Sequence, residues 1–449
     1  MAEAVTRSPP PMPGQQALPA HRSIAKADMS TLRRRAVLAC LVGNLFELYD
    51  FGVYGYFTAS IGHAIFPSTD PIVSILSSFA TYGVGFLMRP VGALVIGSYG
   101  DRFGRRAALI FTVTMMALAT GLTGMVPSYD SIGILAPIML VVCRLAQGFS
   151  TGGEWGGAAS FMVEYAPPGR RGFFGSLQQV STGLGILLSI LMAFTLSSLL
   201  GAADLGSWGW RIAFLFGLLL APVGHYLRSR VAETPVFSRD SGHDTATESP
   251  VRVAFGQYSG KMLLIFGITI IWAVGSYIFF TFMPIYASVQ LGIPMSLALG
   301  STALATILNV VCLPLVGMLS DRIGRKPPLI AAALGYLVLT YPLFSLVVTE
   351  RSFTALMIVQ LVGSLLYALI NGVGSAMMCE LFPTRVRYTA LSVGYNGAVM
   401  VFGGFAPFIA TYLTRATGQL VAPSYYVMAC AATSFVFILF LRDRSREAL

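Results

Sequence analysis

Five ionisable residues stand inside apolar runs that should not tolerate them. Glu47 and Asp50 lie in the run near 36–60, Arg89 in 73–99, and Arg144 and Glu154 in 132–163. A charge in hydrocarbon costs about 2.5–3.5 kcal/mol on insertion scales, so each of these needs a partner or water. Glu47 and Asp50 are three residues apart and share a helix face. Arg144, Gln147, Thr151 and Glu154 fall at i, i+3, i+7 and i+10, a single polar stripe. The chemistry on offer is proton exchange. A carboxylate takes or releases a proton as burial and the distance of an arginine change. Glu47, Asp50 and Glu154 are the candidate proton carriers. Arg89 and Arg144 are candidate clamps for a carboxylate on a solute, because the guanidinium fork matches that group. Both sets are expected to turn toward a shared central cavity. The competing reading is a permanent salt bridge that only locks helices.

Neutral polar residues continue the pattern. Gln178 and Gln179 lie in the run 172–199, Tyr277, Thr281 and Tyr286 in 262–289, Asn371 in 353–379 and Asn396 in 388–413. Gln147, Gln178, Tyr277, Asn371 and Asn396 are candidate solute contacts. Interhelical hydrogen bonding is the plainer alternative for each.

The elements that carry these residues follow from composition. The chain has 449 residues, 55% hydrophobic and 11% charged, whereas soluble domains carry about 25% charged residues. Apolar runs of the roughly 20 residues needed to cross a core of about 30 Å recur along the whole chain. Twelve are read, near 36–60, 73–99, 107–126, 132–163, 172–199, 210–228, 262–289, 296–319, 328–348, 353–379, 388–413 and 423–441. Backbone groups in lipid must satisfy one another, so each run is read as a helix. The expectation is an all-α polytopic membrane protein. It divides into a basic tail at 1–35, a six-helix half at 36–228, a polar linker at 229–261, a second six-helix half at 262–441 and a short tail at 442–449.

Charge placement sets the orientation. Of the 29 Lys and Arg residues, 24 fall in segments that share one side if both termini are cytoplasmic. That bias is the positive-inside rule, and it points to a cell inner membrane with both ends in the cytoplasm. It also accounts for the net charge of +10 without a nucleic-acid partner. The five cysteines all lie in apolar runs and none forms a CxxC pair. No disulfide framework, metal or cofactor is expected.

The two halves repeat. Gly97-Ser-Tyr-Gly-Asp101-Arg102-Phe-Gly104-Arg105-Arg106 is echoed by Gly317-Met-Leu-Ser-Asp321-Arg322-Ile-Gly324-Arg325-Lys326. Glu164, followed by Arg170 and Arg171, is echoed by Glu380, followed by Arg385 and Arg387. These loops are expected to act as cytoplasmic latches. Each Asp would cap a helix or meet an Arg across the halves, and each Glu would pair with the arginines after it. The contacts are expected to hold with the outward side open.

These loops resemble the major facilitator superfamily. More narrowly, Gly43-Asn-Leu-Phe-Glu47-Leu-Tyr-Asp50, Arg89-Pro90, Arg144-Leu-Ala-Gln147-Gly148 and Gly152-Gly153-Glu154 resemble the metabolite:proton symporter family. The resemblance implies a monomeric twelve-helix carrier of two pseudo-symmetric halves, working by alternating access on protons and a small solute. Known solutes of that family include citrate, 2-oxoglutarate, shikimate, proline and betaine. The arginines favour a di- or tricarboxylate. A zwitterionic osmolyte is the alternative, made less favoured by a sequence running only to Leu449, since osmosensing members carry a long C-terminal coiled coil. A transporter-like sensor is a further class. An enzyme finds no nucleophile, metal or phosphate-loop motif.

Overall fold

The computed structural model describes residues 41, 45, 48–103, 105–164, 166–167, 169–218 and 250–447. Among these, twelve helical segments correspond to the expected spans, with short helices between some of them: α1 (48–65), α2 (Pro71–Ile96), α3 (Arg105–Met125), α4 (Leu135–Ser160), α5 (Arg171–Leu199), α6 (210–218), α7 (Ser259–Leu291), α8 (Met295–Ile323), α9 (Lys326–Glu350), α10 (Phe353–Glu380), α11 (Thr389–Thr417) and α12 (Ala422–Leu439). Nine of the described helices are long and apolar enough to cross a bilayer alone. Of the other three, α3 has a shorter apolar stretch, while the described parts of α1 and α6 are brief.

Local chemistry places the ends. Asp70 caps α2, its Oδ1 accepting the Ile72 N–H at 2.9 Å, with Pro71 at the first position. Ser352 caps α10 in the same way. Gly324 ends α8 at φ +94°, where an L side chain would be strained, and a Cβ there would strike Asp443. Large apolar side chains such as Leu118, Leu122, Val311, Leu315 and Val338 stay exposed around the bundle, as lipid contact requires.

The repeat seen in the sequence is a repeat of packing. α2 lies against α4, and α8 lies against α10. The α2–α4 crossing is close because Gly85, Gly92, Gly148 and Gly152 meet backbone with no room for a Cβ. The halves join mainly where α5 runs along α8 and α10, and where α2 and α4 meet α11.

Two departures from the sequence reading have local causes. The fourth span is interrupted at Gly153–Glu154, so its polar stripe does not run along one unbroken helix. The linker contains a short helix, Pro250–Gln257, whose Ala254 is buried and which packs on Thr384–Ala398.

Candidate functional site

In the first half α1, α3 and α4 bring four side chains together. Arg144 Nη2 lies 3.3 Å from Asp50 Oδ2. Gln147 Nε2 donates to Asp50 Oδ1 at 2.8 Å and to Thr120 Oγ1 at 3.0 Å. Asp50 and Arg144 are 1% and 0% exposed, so the pair is sealed in apolar surroundings. The Arg144 guanidinium lies 4.3 Å from the Tyr54 ring centre. Its Nε and Nη1 have no hydrogen-bond partner among the described residues. Breaking such a buried pair is costly unless a proton neutralises the carboxylate.

These contacts join one of the expected carboxylates, Asp50, to one of the expected arginines, Arg144. Thr120 belongs to α3, and Arg144 is flanked by Phe214 of α6 and by Phe51 of α1. Glu154 stands ten residues beyond Arg144, about 15 Å of helix rise away, at the break in α4. Sequence spacing gave the shared face of the stripe, but it could not show which neighbouring helix that face meets. Glu47 lies outside the described residues.

Arg89 of α2 approaches the same Phe51 ring. Its guanidinium lies over Phe86 at 4.2 Å and Phe51 at 4.6 Å. Phe86 in turn contacts Tyr277 of the second half, ring centres 5.4 Å apart. Arg89 is therefore one residue layer from the interface between halves.

That interface is polar but uncharged near its middle. Gln179 Nε2 donates to Gln178 Oε1 at 2.8 Å and to Ser375 Oγ at 3.0 Å, and Ser375 Oγ donates to Gln178 Oε1 at 2.9 Å. This triangle links α5 to α10. Asn371 lies one turn from Ser375, and Asn396 lies on α11, both buried. Next to them, Trp155 of α4 stacks on Tyr395 of α11, centroids 3.8 Å apart and planes 5° apart, with Trp272 edge-on to both. The aromatic corner escaped the sequence reading because isolated aromatics in spans carry no spacing signal. Tyr277 opens a π-helical turn in α7, a local widening found often at functional sites. Tyr286 instead ties α7 to the Leu420 carbonyl and is a packing residue.

At the end carrying the α8–α9 turn the halves are latched. Asp321 accepts the Gly172 and Phe173 N–H groups at 2.7 and 3.0 Å, capping α5 across the interface. Arg325 grips Glu380 with Nη2 at 2.8 Å and Nε at 3.1 Å, and reaches Asp321 with Nη1 at 2.9 Å. Burial lowers the proton affinity of Arg325, but Glu380 and Asp321 outweigh it and hold its pKa above the usual value. Gly317 packs on Gly172 with no room for a side chain, whereas Arg322 is exposed.

Glu380 thus pairs with Arg325, and with Arg171 at 3.8 Å. It does not take the expected Arg387, which donates to the Cys379 and Phe382 carbonyls. Helix α10 ends beside the α8–α9 turn, so the partner comes from there and not from the following loop. Asp443 accepts the Arg325 N–H at 2.6 Å. Burial pushes the Asp443 carboxyl up, but hydrogen bonds from Ser445, Arg325 and Lys326 prevail and hold it below the ordinary range. In the first-half loop, Gly97 is helical. Gly104 and the side chains of Asp101, Arg102, Arg105, Glu164 and Arg385 lie outside the described residues.

The opposite end is also joined. Arg415 Nη2 meets Asp70 Oδ2 at 2.6 Å, linking α11 to the start of α2. The latch therefore closes while the other end is also in contact, instead of standing against an open outer side.

The Sugar (and other) transporter family matches residues 36–255, and the Major Facilitator Superfamily matches residues 301–449. A citrate-proton symporter of Klebsiella pneumoniae is 36% identical, covering 92% of this chain and 93% of that protein. The chain belongs to the major facilitator superfamily. A proline/betaine transporter of Escherichia coli K12 is another relative within it, 34% identical over 93% of this chain and 85% of that protein. The xylose transporter XylE of E. coli, in a partially occluded inward-open conformation, superposes with a TM-score of 0.76 at 18% identity, over 93% of this chain and all of that one. That likeness shows the shared fold alone. As a member of the superfamily the chain is a multi-pass membrane transport protein, not an enzyme.

Proposed function

We propose that this protein is a proton-coupled carrier of a small organic acid, citrate or a related di- or tricarboxylate, in the inner membrane with both termini cytoplasmic. The observation that carries the reading is the sealed Asp50–Arg144 pair. A proton on Asp50 releases Arg144 from its partner and lets α1 and α4 shift against each other. The proton is then handled inside the first half, while the solute is met at the interface between halves. Arg89, beside Phe86 and the interface, is the group assigned to a solute carboxylate. Gln178, Asn371, Asn396 and Tyr277 supply neutral contacts. Asp321, Arg325 and Glu380 close the cytoplasmic mouth, and Asp70 with Arg415 closes the outer one. The citrate-proton symporter relative supports this solute class.

Purified protein in liposomes tests it. Citrate and 2-oxoglutarate should accumulate only under an inward proton gradient, and each should alkalinise the outside when added without one. Uptake indifferent to the gradient contradicts the reading. A zwitterion is the second reading, favoured by the Trp155–Trp272–Tyr395 corner, whose ring faces suit an ammonium group. Gradient-driven uptake of betaine but of neither acid would select it.

A further inference from the structure

The triangle between α5 and α10 leaves specific atoms unused. Gln178 is 0% exposed, and its Oε1 accepts from both Gln179 and Ser375. Its Nε2, a donor, has no partner among the described residues. Asn371 is 2% exposed, and its Oδ1, an acceptor, also has none. Both flank Ser375. Ser375 holds the Gln178 amide, and Asn371 lies at i−4 from Ser375, where Cβ atoms are about 5–6 Å apart.

Buried polar groups without partners are uncommon, because each costs the desolvation of a donor or acceptor with nothing in return. Both amide atoms of Asn396 are also without partners among the described residues, but the two flanking Ser375 are one donor and one acceptor from opposite halves. A hydroxyl group both accepts and donates one hydrogen bond, so a single hydroxyl answers both needs. A carboxylate has no proton to give Asn371 Oδ1, and an ammonium has no lone pair for Gln178 Nε2.

We infer that Gln178 and Asn371 form a hydroxyl-recognising subsite and that the solute is a hydroxy acid. This rests on the organic-acid reading above and narrows it. The Gln178 amide donates to the solute hydroxyl oxygen, and the hydroxyl proton goes to Asn371 Oδ1. Because Gln178 belongs to α5 and Asn371 to α10, the bound hydroxyl links the two halves. A solute without it leaves two buried groups unpaired. Sites built around a hydroxyl reject analogues that lack it by about 10⁴-fold or more, far beyond what loss of apolar contact achieves.

The test uses the full chain in liposomes and two acid pairs that differ by one hydroxyl: citrate against propane-1,2,3-tricarboxylate, and malate against succinate. Uptake under one fixed proton gradient gives kcat/KM for each acid. The expected result is a preference of at least about 100-fold for the hydroxy acid in one pair or both. Asn371→Leu and Gln178→Met should each bring that ratio close to one, by lowering the hydroxy acid toward its deoxy analogue. The wild-type ratio alone decides the matter should a variant fail to fold. Ratios within about threefold in the wild type overturn the subsite and leave the organic-acid reading standing, as would result if a water filled the gap. A large ratio that survives both substitutions also overturns it. Uptake of none of the four acids removes the organic-acid reading, and this inference with it.

Discussion

At the end carrying the α8–α9 turn, the proposed inner mouth, one arginine answers two carboxylates out of contact with water: Arg325 is 1% exposed, and its partners Asp321 and Glu380 have side chains only 8% and 3% exposed. At the outer mouth Asp70 and Arg415 meet with 38% and 42% of their side chains in solvent. Both contacts tie the first half to the second, directly or through a capped helix. Their energetics differ. Removing one member of a buried cluster strands the others without water, at about 3–5 kcal/mol. An exposed pair is worth about 0–1 kcal/mol and is screened by salt. The outer mouth is therefore held by packing with a light ionic contact, and the inner mouth by charges that must separate together. In the proposed orientation, a carrier built this way opens outward with little resistance and opens inward only when something offsets the latch.

The largest effect should come from Arg325→Gln. It leaves Asp321 buried without its cation and Glu380 with only the longer Arg171 contact, and the closed inner mouth should lose about 3–5 kcal/mol. Cys379, buried one residue before Glu380, reports it when the other cysteines are replaced. Its alkylation by an impermeant maleimide from the cytoplasmic side should speed up by about 100-fold or more. An unchanged rate would mean that packing alone holds the mouth.

A smaller effect is expected at Asp443, which caps α9 through Arg325 N–H. Asp443→Asn should cost about 1 kcal/mol, the usual value of a cap. The sign with pH follows from its lowered pKa. The stabilisation is complete above the unfolded carboxylate value of about 4 and fades as pH falls through the lower folded value. Melting temperatures of wild type and variant should therefore differ at pH 7 and converge in strong acid. A constant gap would assign the contact to hydrogen bonding alone.

The smallest effect belongs to Arg415→Gln. It should change stability by less than about 1 kcal/mol, and the difference should vanish in high salt. An effect as large as that at Arg325, or one insensitive to salt, would erase the contrast between the mouths.

How much of this was legible beforehand depends on sequence distance. The twelve spans, the duplicated loops and the polar stripe of α4 could be read because each has a local period. Asp321 is expected from its place in the loop either to cap a helix or to meet an Arg across the halves; it caps α5 across the interface, and its arginine, Arg325, comes from its own half. That Arg144 needs a carboxylate or water is legible from its place in an apolar run, but which of Glu47, Asp50 and Glu154 it takes is not. Partner choice elsewhere is no more legible. Glu380 lies 55 residues from Arg325, and no periodicity connects them. The same holds for Asp70 with Arg415 and for Trp155 with Tyr395. Helical spacing shows which residues share a face, but packing of the whole bundle decides what that face meets. Within the stripe, Arg144 and Gln147 meet Asp50 of α1 and Thr120 of α3, partners that spacing alone does not name.

The separation of proton site from solute site is tested most directly by Asp50→Asn in liposomes, with solute counterflow and solute-driven proton uptake measured on the same preparation. The account predicts that counterflow continues while proton uptake is lost, because a permanently neutral side chain leaves Arg144 released and takes up no proton. Proton uptake at the wild-type ratio to solute in this variant would contradict it.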